Sequence, residues 1–233
     1  MILRLFPTVA LAVVLSASPC PAAGEKEIPI NELPRRAAEA ATSGKMKEAV
    51  GLYAQWVDCD PLNPLARASY GAALFQTNDA AKARQQLERA VLIEPKLASS
   101  WATLGLIYDR DAEPWLAMSA YTRAVHLEPR VASHRILLAL SLEKQGWRDA
   151  AESALNDALG IDPESADAHF NLAALALRRT PPAKETARRH YQQARKLGAE
   201  PDEDIEILLG LKEEKKTDEP KTKPEGDKKP STR

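Results

Sequence analysis

Four prolines divide the middle of this 233-residue chain evenly: Pro61, Pro95, Pro129 and Pro163 each stand 34 residues after the last. The phrases leading into three of them nearly repeat, as RAVLIEP (89–95), RAVHLEP (123–129) and DALGIDP (157–163). A fixed period of this length marks one supersecondary unit stacked on copies of itself, and it is the strongest constraint on the fold. Between the prolines each unit carries two amphipathic helical patterns parted by a short polar turn: SGKM at 43–46, QTND at 76–79, DRDAEP at 109–114 and KQG at 144–146. Proline has no N–H and clashes with a continuing helical turn, so each one ends a second helix and frees the next to start at a new angle. With aromatics at 5% and only 10 glycines in a chain rich in Ala, Leu, Glu, Lys and Arg, the composition also favours helix. The expectation is an all-α chain.

The third unit is the most explicit. Trp101, Leu104, Gly105, Tyr108, Ala117, Tyr121, Ala124 and Pro129 follow one another in an order that resembles the tetratricopeptide repeat, a 34-residue helix pair. The physical content is an alternation of size: Gly105, Ala117 and Ala124 admit a neighbouring helix, and the large side chains fill the space beside it. Tyr70, Gly71, Leu74, Ala83, Leu87 and Ala90 repeat the pattern in the second unit, and Leu138, Ala139, Leu142, Ala151, Leu155 and Ala158 in the fourth. A fifth unit reads through Leu172, Ala173, Ala176, Ala187, Tyr191 and Ala194, its inner turn RRTPPAKE two residues longer than in the others. The first is the least regular, with Arg36 and Ala40 where the others place bulky apolar groups and Trp56 in place of the small residue of the second helix. The resemblance implies a right-handed α-α superhelix of about five helix pairs over 30–197, at roughly 30–63, 64–97, 98–131, 132–165 and 166–199. A capping helix follows at 200–214, where Pro201 and the acids Asp202, Glu203 and Asp204 precede Ile205, Leu208 and Leu209 on one face.

The ends read differently. Met1 to Arg4 carries a positive charge, Leu5 to Ala17 is an apolar run, and SPCPAAG offers small residues to a peptidase, so residues 1–23 read as a secretory leader followed by a linker at 24–29. The run falls short of the about 20 residues that cross a bilayer. A retained anchor and a lipidated Cys20 are the alternatives, although Pro19 before Cys20 departs from the usual lipoprotein pattern. If Cys20 leaves with the leader, Cys59 stands alone and no internal disulfide forms. From 215 to 233 the chain is Lys, Arg, Glu, Asp, Pro, Thr, Ser and Gly with no large apolar residue, a composition expected to stay disordered.

A formal net charge of −1 gives no field to recruit nucleic acid. No phosphate-cradling loop, HExxH, GxSxG or paired cysteine motif occurs, and Cys59 lies between two acids, which disfavours a thiolate. His126, His134, His169 and His190 are scattered over three repeats, without ligand spacing on one helical face. The expectation is therefore no catalytic residue, no cofactor and no metal.

What is left is surface shape. In the fold that the resemblance implies, the first helices line a concave groove, and alignment of the repeats places there Ala72 and Phe75, Ala102, Leu106 and Arg110, Ile136, Leu140 and Lys144, and Phe170, Ala174 and Arg178. The candidate protein-binding residues are Phe75, Leu106, Arg110, Ile136, Leu140, Lys144, Phe170 and Arg178, an apolar strip with a basic edge. The Lys and Asn clamp that some relatives use on a partner's C-terminal carboxylate has Ala and Leu in its place. A second basic cluster, Arg178, Arg179, Lys184, Arg188, Arg189, Arg195 and Lys196, surrounds the last repeat and reads first as a solvated helix face. The implied function is an exported, non-enzymatic adaptor that holds a peptide or helix of a partner protein in the bacterial cell envelope. The alternative is a lipid-anchored assembly factor for an outer-membrane or appendage complex.

Overall fold

The computed structural model describes residues 28–212, within which the chain forms eleven helices and no strand. They are α1 (Leu33–Thr42), α2 (Met46–Cys59), α3 (Pro64–Gln76), α4 (Ala80–Ile93), α5 (Ala98–Arg110), α6 (Pro114–Leu127), α7 (Ala132–Lys144), α8 (Arg148–Ile161), α9 (Ala166–Leu177), α10 (Lys184–Lys196) and α11 (Glu203–Leu208). The first ten pack as five consecutive pairs, each pair stacked on the next. The expected leader, Cys20 and the 215–233 tail lie outside the described residues. No helix among the described residues is long and apolar enough to cross a membrane.

The size alternation closes the core. Ala49, Ala83, Ala117, Ala151 and Ala187, at equivalent places early in the second helices, are buried, as are Ala90, Ala124, Ala158 and Ala194 one or two turns later. Tyr121 and Tyr191 are among the largest fully buried side chains, and Leu33, Leu87, Leu104 and Ile107 join them. A Cβ on Gly105 would lie 2.4 Å from the Tyr121 ring, so that position is glycine because α5 and α6 touch there. α11 covers the end of the stack with Ile205 and Leu209 against Ala173, Ala176, Ala187 and Tyr191. Leu208, expected on the same face, is exposed instead: Leu209, four residues after Ile205 and still in helical conformation, takes the inward place.

Two period-34 devices complete each junction. Inside the repeats the turn residues Gly44, Asn78, Ala112 and Gly146 all take positive φ, at 75°, 67°, 58° and 80°. Between repeats, the carbonyl of each spacing proline accepts a bond from a side chain six residues on: Arg67 Nε to Pro61 at 2.8 Å, Trp101 Nε1 to Pro95 at 3.0 Å, and an Arg135 guanidinium nitrogen to Pro129 at 3.2 Å. His169 Nε2 stands 3.2 Å from the Pro163 carbonyl in the same position. Side chains of three kinds thus do one job, satisfying a carbonyl that the broken helix leaves without an N–H.

Cys59, at the end of α2, is disulfide-bonded; the expectation of a lone thiol was conditional on loss of Cys20 with the leader, which lies outside the described residues.

Candidate protein-binding face

Curvature follows from which helices touch. α3 contacts α5, α5 contacts α7 and α7 contacts α9, while no second helices approach each other as extensively among the described residues. The first helices therefore occupy the inside of the curve. Ala72, Leu106, Leu140 and Ala174, spaced by 34, form a half-buried ridge along it. Phe75 and Phe170 are half-buried, whereas Ile136 and Ala102 are buried. Phe75 and Leu106 pack at the edge of the core cluster around Leu104 and Tyr121, Leu140 beside the one around Leu155, and Phe170 beside the one around Tyr191. The strip is thus the rim of the core, half supported and half open, which is what a non-polar contact surface on a rigid scaffold requires. A separate concavity of about 420 Å³ beside the first repeat, between Ile28, Arg35, Glu39, Lys45 and Leu52, includes none of the strip.

The basic edge is partly spoken for. Arg110 donates to Asn78 Oδ1 at 2.8 Å, Lys144 pairs with Asp109 at 3.2 Å, and Arg178 pairs with Glu143. Each cation reaches back to the preceding repeat, so the edge is a ladder of exposed inter-repeat ties. Such pairs are individually weak in water and leave the cations available to an acidic group of a partner. The cluster around the last repeat is engaged in the same way: Arg179 with Glu152, Arg188 with Glu185 at 2.8 Å and with the Leu209 carbonyl at 2.9 Å, and Arg195 with the Ala199 carbonyl. At the junction of the second and third repeats Arg84 meets Glu88, Asp111 and Glu113 within 3.2 Å and lies 4.9 Å from the centre of the Tyr108 ring. The hydrogen bonds of Glu88 and Glu113 raise the Arg84 pKa further above its usual range, and burial, then the Glu88 charge, push the Tyr108 hydroxyl up to about 12.

Sequence spacing missed one constellation. His169 on α9 and His190 on α10 face each other with their Nδ1 atoms 3.0 Å apart. They are 21 residues apart, across a helix turn of irregular length, so no repeat period signals the contact. Burial lowers the His190 pKa, helped by the His169 and Arg189 charges and opposed by Glu152. No group of three or more His, Cys, Asp or Glu placed to hold a metal occurs among the described residues.

The stacked pairs can be compared with known families and folds at this point. A family model described as tetratricopeptide repeat matches residues 135–165, the unit made by α7 and α8. That unit matches the tetratricopeptide repeat, and the chain has the fold of a tetratricopeptide-repeat stack. Among solved structures it is similar to "MamA 41-end from Desulfovibrio magneticus RS-1", at 19% identity and a TM-score of 0.64 over 72% of this chain and 94% of that one. It is similar to "MamA MSR-1 C2" at 23% identity and a TM-score of 0.60, over 73% and 97% of the two chains. It also matches YrrB, described as "a TPR protein with an unusual peptide-binding site", at 20% identity and a TM-score of 0.61 over 78% and 91%. These likenesses establish the fold. No curated protein matches the sequence.

Proposed function

We propose that this tetratricopeptide-repeat chain is a non-enzymatic interaction scaffold that holds an extended or helical segment of a partner protein against the concave face of its first helices. The observation that carries the reading is the recurrence of half-buried apolar residues, Ala72, Leu106, Leu140 and Ala174, at one position in four successive repeats, with Phe75 and Phe170 beside them. Apolar positions repeated on a scaffold held by its own core suit an amphipathic segment, and the cations Arg110, Lys144 and Arg178 along one side favour acidic residues in it. YrrB, a fold relative, is described by its peptide-binding site. The place of action we propose is the bacterial cell envelope, supported by the leader-like N-terminus. Intact mass of the chain from its native host separates cleavage near Ala23 from acylation at Cys20.

The test is Leu140→Asp and Leu106→Asp. Both side chains are half-buried at the rim, so helical content should persist while crosslinked partners are lost. Recovery of the same partners from these variants in the native cell would refute the groove.

A further inference from the structure

Trp115 and Trp147 are outliers for which repeat stacking gives no reason. They stand at the starts of α6 and α8, at the turn edge of adjacent repeats, with ring centroids 5.7 Å apart and planes inclined at 58°. Trp115 is 62% exposed and Trp147 46%, and Leu116 beside them is also exposed. The second repeat places Asp79 and Ala81 at the corresponding positions, so neither indole is needed to close the fold. Two tilted indoles open to solvent form the kind of surface on which an extended, proline-bearing chain seats its rings. Asp149, in the first turn of α8, has a fully exposed side chain, and its nearest cation, Arg179 at 3.8 Å, is already bonded to Glu152. Asp149 thus stands two residues after Trp147 as an exposed carboxylate whose one ion-pair partner is shared with Glu152.

The described chain ends close to that edge. The Leu209 carbonyl accepts a bond from Arg188, in the second turn of α10, and Arg179, just past the end of α9, reaches Glu152 near the start of α8. With packed helices about 8 to 10 Å apart, the three steps from α11 back to α8 span about 30 Å. Residues 213–233 remain, 21 in number (233 − 212), and they carry Pro220, Pro224 and Pro230 among charges of both signs, with Lys221, Lys223, Lys228 and Lys229 beside Glu219, Glu225 and Asp227. A coil of that length spans about 25 Å and an extended one about 65 Å. Reach and span match, which makes the local concentration millimolar and lets a weak contact form.

We propose that the Trp115 and Trp147 pair is the docking site of the chain's own C-terminal segment, residues 213–233, through its Lys-Pro steps. The prolines lie against the indoles and the neighbouring lysines face Asp149.

The test compares the indole N–H signals of the full chain with those of a chain ending at Lys212. Trp115 and Trp147 signals should shift when the segment is removed, while those of Trp56 and Trp101, which lie elsewhere, stay in place. A synthetic 213–233 peptide added to the shortened chain should move the two signals back, and Trp147→Ala should weaken its binding by about tenfold. Asp149→Lys, which keeps the aromatic pair, should weaken it by about threefold. A peptide with Ala at 220, 224 and 230 should lose most of the shift. Coincident signals in the two chains, shifts spread over all four indoles, or equal binding of the proline-free peptide would overturn the proposal.

Discussion

Gly105→Ala isolates the close approach on which the stack depends. A methyl at this position would stand 2.4, 2.6 and 2.8 Å from three carbons of the Tyr121 ring. Ordinary carbon contacts sit near 3.5 Å, so the ring must retreat by about 1 Å. It has little room to do so: Tyr121 is buried, and its hydroxyl donates to Asp109 Oδ2 at 3.1 Å. Overpacking of this kind costs about 1 to 3 kcal/mol, and three short contacts place it in the upper part of that range. Replacing glycine by alanine inside a helix returns about 1 kcal/mol of propensity. The net expectation is a loss of about 1 to 2 kcal/mol, a fall of about 2 to 8 °C in melting temperature. Gly51→Ala is the control, since Gly51 lies inside α2 with nothing within 4 Å of the added carbon. It should gain up to about 1 kcal/mol. Thermal melts followed by far-UV circular dichroism read both. If Gly105→Ala melts at or above the unaltered chain, the helix approach is not what requires glycine there.

Two further outcomes follow from the same geometry. Ala112 takes φ 58° in a turn where Gly44 and Gly146 do the same work, so Ala112→Gly should raise stability by up to about 1 kcal/mol, and a lowered urea midpoint would count against the strain. His134 and His190 both have pKa values lowered from 6.5, His134 chiefly by burial and against the Glu128 charge, His190 by burial together with His169 and Arg189 and against Glu152. Their unfolded forms therefore bind more protons just below pH 6.5, and the stability present above 6.5 declines as pH falls toward the folded-state values. The urea midpoint should drop between about pH 7.5 and about pH 5.5, and drop less in a His134→Gln, His190→Gln variant. A midpoint that rises over that interval would reverse the assignment.

Much of the scaffold was legible because a repeat writes its own period. Pro61, Pro95, Pro129 and Pro163 gave the unit length, and the buried Ala90, Ala124 and Ala158 are small wherever helices cross. The candidate face was legible as positions: the ridge at 72, 106, 140 and 174 follows from counting by 34. The charges on it were not, since whether Arg110 points to a partner or to Asn78 depends on how far one repeat lies from the next. The His169 and His190 contact escaped for the same reason, because an inner turn lengthened by two residues alters which side chains of α9 and α10 meet.

The sequence by itself determined the helix pair, its length and its stacking partners, because proline stops, small residues at crossings and the amphipathic period act within a few tens of residues. Tertiary structure alone decided three things: that Arg67, Trp101, Arg135 and His169 share one task at the proline carbonyls, that the basic edge is tied from repeat to repeat, and that Trp115 and Trp147 meet in solvent. Each depends on the distance and rotation between successive units, which no single repeat contains.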